Sequence, residues 1–565
     1  MARRTAWADA AALTSYALLA WWIMRGLWAD PAGRWLHNPD DQGFFQAMMA
    51  HGERVLFHGE SPLFTTRLNA PTGVNLMANT SVLGISLPFA PVTHYLGPAV
   101  SVALMATVGL AGTAAAWWWL LSRHVVASRA GAWAGGLWAG FAPGFVAHAN
   151  GQPNFASGFV LPFIVWQVIR LREPGRVWRS GVLLGLLIVV QAFINEELLL
   201  LTAITLTLVG LLQAAISRRL VAGLLVAGAV AGALLAYPLY FQFFGPGHYR
   251  GLPFRLDLYA TTLGSIPAFP RRSIAGSEAI ARSVTGGSVT EDATFWGPGI
   301  CLMILVAVVL LRRSAAARAA AVAGLILLVM SFGGRLRLTR TTEIGPAPLG
   351  WTEHVPVLDL VTTSRYALAT TTIAGVLLAM AADRVRGRGR GVFWAGMALA
   401  LVPMFPLGLR TSPAPVVPAF FVQGTWRSYV HGDQSIVIVP LPAMVAGRYG
   451  MRIAALSHLG FPIPRGYFLG PANPPLDDTG SWAPPMLYTV NLLTVVGRTS
   501  HVPKLGPAER RAVRADLRYW RAGIVVVLPN APNRLSLRRL LFQVLGTPVP
   551  VGDVFVFRVP TFIGP

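Results

Sequence analysis

The sequence predicts an α-helical polytopic membrane protein with an α/β domain at its C-terminal end. Of its 565 residues, 54% are hydrophobic and only 12% are charged, whereas soluble domains carry about a quarter charged residues. Apolar stretches long enough to cross a bilayer recur up to residue 409, and the chain is Pro-rich and less continuously apolar from residue 410 onward. We therefore predict a membrane module, residues 1–409, followed by a second domain, residues 410–565.

About eleven apolar segments, each near the twenty residues that a bilayer requires, are predicted to span the membrane. They are residues 8–28, 99–122, 130–147, 156–170, 180–194, 198–216, 220–241, 299–311, 319–332, 364–382 and 391–409. Residues 82–97 are also apolar, but Pro88 and Pro91 interrupt them, and proline breaks a helix interior. We predict a re-entrant or interfacial piece there.

Arginines in the short loops predict the orientation of these helices. One side carries Arg3, Arg4, Arg123, Arg129, Arg170, Arg172, Arg176, Arg179, Arg218, Arg219, Arg312, Arg313, Arg318, Arg384, Arg386, Arg388 and Arg390. The positive-inside rule makes that side, with the N-terminus, cytoplasmic in a bacterial plasma membrane. An odd number of spans then places the C-terminal domain outside the cytoplasm. The net charge of +23 is thus an orientation signal, and no nucleic-acid partner is indicated.

The C-terminal domain is predicted from short patterns of both strand and helix type. Residues 435–440 form an apolar run typical of a buried strand, and Pro507 to Ala522 has the pattern of a helix. A strand over residues 523–528, a helix from Asn533 or Ser536 through Leu545, and a final strand or hairpin over residues 551–559 complete an α/β unit.

Some kinds of chemistry are excluded or not indicated. Cys301 is the only cysteine, which excludes a disulfide within the chain and a cysteine-based metal site. No Gly-rich dinucleotide motif, P-loop, HExxH or GxSxG pattern is present. Nucleotide-dependent chemistry is therefore not indicated.

Asp40 and Asp41 are the first candidates for catalysis. They follow the first apolar segment, in the predicted outer loop of residues 29–81, and carboxylates at a membrane edge are costly to place. Such a pair can deprotonate an acceptor hydroxyl or hold a cation. An amphipathic helix, Gln42 to Leu56, is predicted to follow and to lie in the membrane interface. The alternative is that Asp40 is only a helix N-cap.

Three more polar clusters are predicted on the same side of the membrane. The first comprises His148, Asn150, Gln152 and Asn154, which together with Gln42 are suited to bind sugar hydroxyls, although the segment also fits an ordinary polar turn. The second is Glu196 and Glu197, between two apolar segments. They form either a solvated turn or part of a split carboxylate site with Asp40 or Asp41. If a divalent cation takes part, Asp41 and Glu197 are its predicted ligands.

The third cluster centres on Arg365, at the outer end of the tenth predicted span. A lone arginine there either reaches out to the membrane surface or binds a phosphate with its forked donors. Arg250 and Arg255 are further phosphate candidates, and His354 is a further substrate-binding candidate.

Taken with their context, these motifs resemble the GT-C superfamily of integral membrane glycosyltransferases. The resemblance is carried by the acidic motif Pro39-Asp40-Asp41-Gln42 in the first outer loop, the helix after it, the multi-helix body and the outer C-terminal domain. The stretches over residues 58–66 and 69–81 resemble actinobacterial membrane proteins of this kind. Residues 363–366 and 516–528 also look like YfhO-type bacterial members.

The resemblance implies a polyprenyl-phosphate-linked sugar as donor and the first-loop acid, here Asp40 or Asp41, as the base. It further implies a glycan, lipid or protein acceptor in cell-envelope polysaccharide biosynthesis. The family often carries a second acidic motif in a later outer loop. Residues 148–154 contain no acid, so Glu196 and Glu197 are the substitutes we predict.

The predicted function is an inverting membrane glycosyltransferase whose partners are a lipid-linked donor, an acceptor and membrane lipids. Two alternatives are a transporter or flippase, and a non-catalytic envelope assembly protein. Against transport, no internal repeat of hydrophobic segments is evident, and the polar candidates gather at one face of the membrane. Substitution of Asp40 and Asp41 separates the three, because only an enzyme loses turnover while staying folded.

Overall fold

The structure, a computed structural model, describes residues 2–214, 216–285 and 288–560 and is mostly helical. Up to residue 401 the helices, α1 to α17, are Ala2–Trp28, Pro39–His58, Leu83–Ser86, Ala90–Leu96, Pro98–Leu120, Arg129–Phe141, Pro143–His148, Pro153–Ala156, Leu161–Arg170, Val177–Ala192, Glu196–Leu212, Arg218–Phe244, Glu278–Val284, Gly297–Leu310, Ala315–Met330, Tyr366–Arg384 and Arg388–Leu401. Helices α18 to α22 follow at Ala419–Val422, Arg448–Leu456, Tyr488–Thr499, Pro507–Tyr519 and Arg534–Leu545.

The strands are short and form five small sheets. In chain order, β1 to β12 are Arg34–Leu36, Phe64–Thr65, Val74–Asn75, Arg335–Arg337, Glu343–Pro346, Thr411–Pro413, Ser435–Val439, Leu469–Asn473, Asp477–Trp482, Ala522–Val527, Val549–Val551 and Val554–Arg558. The largest sheet has the order β11-β12-β10-β7, and the others are two-stranded.

Three helical stretches within the described residues are long and apolar enough to cross a membrane. They are Pro98–Val125, Arg218–Phe244 and Thr363–Arg384, and shorter apolar helices lie at Val177–Ala192, Gly297–Leu310 and Ala315–Met330. Each of the eleven predicted spans overlaps a helix, although the span 130–147 is divided between α6 and α7 and the span 391–409 is α-helical only to Leu401. That all eleven cross the bilayer stays a prediction, and residue 215, inside the predicted span 198–216, lies outside the described residues.

Ion pairs join the helix ends that carry the loop arginines. Asp9 of α1 lies 2.6 Å from Arg123 and 2.5 Å from Arg129, and the Ser128 N–H donates to Asp383 at the end of α16 over 2.7 Å. These contacts bring four helix ends together, and the orientation that the whole set of loop arginines predicts stays a prediction. The compartment that these helix ends face also stays a prediction.

Helix α2 corrects one expectation. It was predicted to lie on the membrane surface, but every residue from Asp41 to Arg54 is buried. Phe44 and Phe45 are at most 8% exposed, and Met48 and Met49 are fully buried. Protein covers the helix, with α4 and α5 of the membrane module and α19 of the tail packed against it. Apolar residues at helical spacing do not distinguish burial by lipid from burial by protein.

Residues 82–97 form two short helices, α3 and α4, and no continuous span. Proline and glycine bound α4: Ala90 opens it just before Pro91, and Gly97 ends it at φ 84°. The interrupted form agrees with the sequence. A re-entrant or interfacial position stays a prediction.

The tail contains the strands and helices that the sequence predicts. β7 and β10 pair in parallel, and β10, β12 and β11 continue the sheet in antiparallel order. Helices α21 and α22 match the two predicted helices. The side chains of β7 and β10 are all buried, as expected for a continuous apolar run in a sheet covered on both faces. Residues 561–565 lie outside the described part.

The tail also joins the membrane module directly. β6, just after the predicted boundary at residue 409, pairs antiparallel with β1 of the first loop. The N–H groups of Asn69 and Ala70 donate to the carbonyls of Arg465 and Ile463, each over 2.9 Å. The first loop is therefore held by the tail, which brings residues more than 400 positions apart to the acidic motif.

Candidate active site

Asp41 lies in the first turn of α2, which begins at Pro39 and is capped by Asn38. Its buried carboxylate accepts hydrogen bonds from the amides of Asn38 and Gln152, at 2.5 and 2.9 Å, and from the hydroxyl of Tyr467, at 2.8 Å. These donors come from the first loop, the segment after α7 and the tail. All three are neutral, so they orient the carboxylate without adding an opposite charge.

The pKa of Asp41 is set mainly by burial. Burial raises it, and the hydrogen bonds from Tyr467, Gln152 and Asn38, with the charge of Arg365, offset only part of the increase. A carboxylate whose pKa is raised in this way is better matched to accept a proton near neutral pH than an exposed one. Asp41 thus has the environment of a general base.

Asp40 faces a different partner. Its carboxylate lies 3.0 Å from the Arg448 guanidinium and accepts the Val445 N–H over 3.1 Å. Burial raises the pKa of Asp40, partly offset by Arg448 and that N–H. The N-cap reading of Asp40 is wrong, because Asn38 caps the helix. Asp40 connects the first loop to the tail.

We expect Asp40→Asn to weaken this connection without removing the chemistry. The pair is partly buried, so its loss should lower the free energy of unfolding by about 1 kcal/mol, and the transfer rate should fall far less than in an Asp41 variant. Thermal unfolding and initial rates check both. Arg448→Gln should give a similar loss, and the double variant should cost no more than either single one. Additive losses would show that the two side chains act separately.

Arg365 is the centre of a buried charge network. It lies 2.6 Å from Glu197 and 2.7 Å from Glu291, and it donates to the side-chain oxygen Oε1 of Gln152 over 3.5 Å. Gln152 therefore links this network to Asp41 through its own amide. One arginine between two carboxylates leaves the cluster with a net negative charge when both are ionised.

His148 and Phe155 complete the wall behind the arginine. His148 is fully buried, with Nδ1 2.7 Å from the Gly144 carbonyl and Nε2 3.6 Å from Glu291. Phe155 packs against the His148 ring at 4.6 Å and lies under the Arg365 guanidinium at 4.4 Å. The aromatic ring and the histidine fix the position of the charges.

The pKa of Glu291 is shifted in the opposite direction to that of Asp41. Burial raises the pKa of Glu291, but the charges and hydrogen bonds of Arg365 and His148 outweigh burial and hold it below its ordinary value. The site thus contains one carboxylate fixed as an anion and another whose pKa is raised. Environments that separate two carboxyl groups in this way usually separate their roles.

Two other predicted residues stabilise the first loop. The Gln42 side chain accepts the Leu36 N–H over 2.8 Å, and the Asn150 side chain accepts the His37 N–H over 3.2 Å. Both bonds hold β1 and the turn that precedes α2 in place. Their contribution to the site is therefore to position Asp41, and direct contact with a substrate stays a prediction.

Asn154 and Glu196 lie at the edge of the network. Asn154 is buried, and its Oδ1 has no hydrogen-bond partner among the described residues. Glu196 accepts from the Gln242 amide over 3.1 Å. A free acceptor on Asn154 is compatible with the predicted binding of a hydroxyl, which stays a prediction.

Arg250, Arg255 and His354 lie at the surface. Arg250 pairs with Asp478 at 3.0 Å and Arg255 with Asp257 at 2.8 Å, and His354 is exposed. The three predicted phosphate ligands, Arg365 included, thus each face a carboxylate. Phosphate binding by any of them stays a prediction that requires the phosphate to compete with that carboxylate.

Several residues of the site were not predicted, among them Glu291, Tyr467 and Tyr259. Tyr259 lies close to both halves of the site. Burial raises its pKa most, and the charges of Glu291 and Asp41 raise it further. The adjacent acids Glu291 and Asp292, in the loop of residues 242–298, are a signal of the same kind as Asp40 and Asp41. The sequence therefore contained a signal that could have identified Glu291.

The sequence left open whether Asp41 and Glu197 bind a divalent cation. No group of three or more His, Cys, Asp or Glu side chains among the residues described is placed to hold a metal ion. Gln152 and Arg365 lie between Asp41 and Glu197, the two predicted ligands. A cation held by this pair stays a prediction.

No family model and no curated protein matches the chain. Among solved structures it is similar to the oligosaccharyltransferase of Archaeoglobus fulgidus in its apo form, with a TM-score of 0.44 and 13% identity over 94% of this chain and 71% of that chain. It is also similar to AglB of Archaeoglobus fulgidus in complex with an inhibitory peptide and a dolichol-phosphate, with a TM-score of 0.45 and 12% identity over 98% and 75% of the two chains. Likeness at this level decides neither fold nor activity, so the functional argument stands on the site.

Proposed function

We propose that this protein is an inverting membrane glycosyltransferase of GT-C type that moves a sugar from a polyprenyl-phosphate donor to an acceptor of the cell envelope. The observation that carries the proposal is Asp41, a buried carboxylate with a raised pKa, held by three neutral donors where the membrane module meets the tail. A base in this place can reach a substrate from either part. The compartment is the outer face of a bacterial plasma membrane.

The proposed reaction is a displacement at the anomeric carbon. Asp41 takes the proton of the acceptor hydroxyl, and the freed oxygen electron pair forms the new bond to that carbon. The bond from carbon to the phosphate oxygen breaks, and its electron pair leaves with the lipid phosphate. Gln152 couples the base to the Arg365 network, which keeps the carboxylate oriented.

Arg25, Arg272 and Arg410 form no ion pair with a carboxylate among the described residues, and such a group suits the leaving phosphate better than Arg365 does. Arg25 donates to the Leu407 carbonyl over 3.0 Å, and Arg272 donates to the Gly408 carbonyl over 3.1 Å. Arg410 is exposed, and its charge lowers the pKa of Arg272. Burial is the main cause of that lowering, and the mutual repulsion shows that the positive charges are close together. An anion relieves such repulsion.

An apolar cavity adjoins these arginines. It has a volume of about 140 Å³, and Leu19, Phe141 and Met404 line it together with Arg272 and Asn150. Asn150 is two positions from Gln152, whose side-chain amide donates a hydrogen bond to Asp41. A lipid phosphate at Arg272 would therefore have apolar surface beside it, as a lipid-linked donor requires, and we propose that its sugar extends from there toward Asp41.

We expect Arg272→Gln combined with Arg410→Gln to raise the KM for the donor by about tenfold or more, since a hydrogen bond to a charged group contributes about 1.5–3 kcal/mol. The turnover number should change less, because the base is untouched. Initial rates against donor concentration measure both. Arg335→Gln, at an exposed arginine that pairs with Glu343, is the matched control. An unchanged KM would exclude the phosphate from this group of arginines.

The direct test of the proposed function is a transfer assay. The purified protein in lipid nanodiscs receives short-chain polyprenyl-phosphate sugars with a radiolabelled sugar, together with an envelope fraction as acceptor. Labelled acceptor that forms with the wild type and not with Asp41→Asn supports the proposal. A folded wild type that transfers no sugar from the donors tested, while envelope assembly depends on its presence, favours the assembly alternative.

A further inference from the structure

A second cavity, which is polar, lies between α2, α4 and the tail, away from the carboxylate network. It has a volume of about 390 Å³ and is lined by Glu53, His94, Trp426, Arg427, Ser457 and His458, among others. Glu53 follows Asp41 by twelve positions on the same helix, so it lies about 18 Å further along. Volumes of roughly 300–1,000 Å³ are typical of small-molecule sites.

Glu53 places a buried acceptor, one without a hydrogen-bond partner in the part of the chain that the structure describes, at the lining of this cavity. Its side chain is 2% exposed, and the Oε1 atom faces the His94 ring at 2.8 Å and the His58 ring at 3.7 Å. The Oε2 atom has no hydrogen-bond partner among the described residues. A buried carboxylate oxygen without a donor costs folding free energy, and a donor group of a ligand in the cavity would remove that cost.

A second buried atom in the same cavity lacks a partner. Ser457 Oγ has no hydrogen bond within the described part of the chain. The hydroxyl can donate and accept. Beside it, His458 has a φ of 55°, in the left-handed region that a residue other than glycine seldom adopts. Strained backbone of this kind is common at binding sites and persists only when the surroundings impose it.

The charges of the cavity select the chemical class of the ligand. Glu53 lies on one wall, and Arg427 stacks over the Trp426 ring at 4.6 Å on another. An anionic ligand would be repelled by Glu53 and a cationic one by Arg427. Neutral hydroxyl groups donate to a carboxylate and also accept from a guanidinium.

We propose that this cavity binds a neutral saccharide, as a remote subsite for the acceptor glycan. The identification of this saccharide as the acceptor rests on the proposed function. The binding of a saccharide does not, since its chemistry is independent of Asp41. A separation of about 18 Å along α2 spans several sugar units. Binding energy from such a remote unit can be used to orient the reacting hydroxyl.

An array of immobilised neutral and anionic oligosaccharides tests the proposal. The protein in fluorescent nanodiscs is applied as wild type, Glu53→Gln and Ser457→Ala, with Glu173→Gln as a control at a carboxylate that pairs with Arg170 and Arg176. We expect the wild type and the control to bind neutral oligosaccharides equally. Each cavity variant should bind about tenfold more weakly, the size of one lost hydrogen bond. Ser457→Ala is the smaller change and covers the case in which Glu53→Gln does not fold.

Three results would overturn the proposal. They are no binding to any saccharide on the array, binding that is unchanged in both cavity variants, and binding of zwitterionic phospholipid vesicles that depends on Glu53. Asp41→Asn separates this proposal from the proposed function. If it binds saccharides like the wild type and transfers none, both proposals stand. If it still transfers sugar while Glu53→Gln loses binding, only the assignment of the base fails.

Discussion

Replacing Asp41 with asparagine is expected to lower the rate of glycosyl transfer by about 10²- to 10⁴-fold, the usual contribution of a general base. Asparagine has nearly the same shape, and its carbonyl can still accept from Tyr467 or Gln152, so the variant should remain folded. It cannot accept the acceptor proton. Initial rates in nanodiscs at saturating donor measure the effect, and thermal unfolding confirms that the fold is retained.

The control for this prediction is the neighbouring residue. Asp40→Asn removes the same charge from the same helix turn, yet its carboxylate is engaged with Arg448 and the Val445 N–H. If both variants lose transfer equally, the loss is an effect of charge near the site and Asp41 is not the base. If Asp41→Asn keeps most of the wild-type rate, the proposed mechanism is wrong.

The pH dependence gives an independent test of the same residue. Because burial raises the pKa of Asp41, the acidic limb of the pH–rate profile should lie above the ordinary carboxyl range near about pH 4. The rate should rise as Asp41 ionises. Folding stability should change in the opposite sense, decreasing as the pH rises through the raised pKa, because the folded state binds the proton more tightly than the unfolded state.

Local patterns in the sequence predict most of the secondary structure. The apolar segments fall on helices because about twenty apolar residues in succession leave few alternatives. The tail strands 435–439 and 522–527 were evident as runs of Ile and Val. The environment of α2 was not predictable, since the same spacing of Phe and Met fits a lipid face or a protein face. Only tertiary contacts decide between the two.

Some residues of the candidate site were also predictable from local sequence, and others were not. Asp41 and Glu197 were selected because carboxylates at a membrane edge are costly to place. Gln152 was selected as a partner for sugar hydroxyls and Arg365 as a partner for phosphate, and the structure brings all four into one network. Tyr467 is 426 positions from Asp41 and lies in a segment without any local signal. The adjacent acid Asp292 is a local signal for Glu291, but nothing in the sequence indicates that Glu291 pairs with an arginine 74 positions away. Such pairings come from the fold alone.

Replacing Arg365 with methionine is expected to be the most destabilising change in the site. It leaves Glu197 and Glu291 facing each other without their shared cation, and both side chains are largely buried, at 16% and 5% exposure. Breaking a buried ion pair by removing one partner costs about 3–5 kcal/mol, because the remaining charge is left uncompensated. A chain of marginal stability should then unfold at a clearly lower temperature, measured by thermal unfolding in detergent or nanodiscs.

The physical reason for this loss can be separated from simple loss of packing. If uncompensated charge is the cause, adding Glu197→Gln and Glu291→Gln to Arg365→Met should restore much of the lost stability, since the triple variant contains no buried charge at this position. If packing against Phe155 is the cause, the added substitutions should restore nothing. Arg250→Met, at an arginine whose side chain is 80% exposed, should change stability by less than about 1 kcal/mol. A triple variant that is stable but inactive would show that the network is present for the reaction, because neutral residues of similar size would then hold the fold equally well.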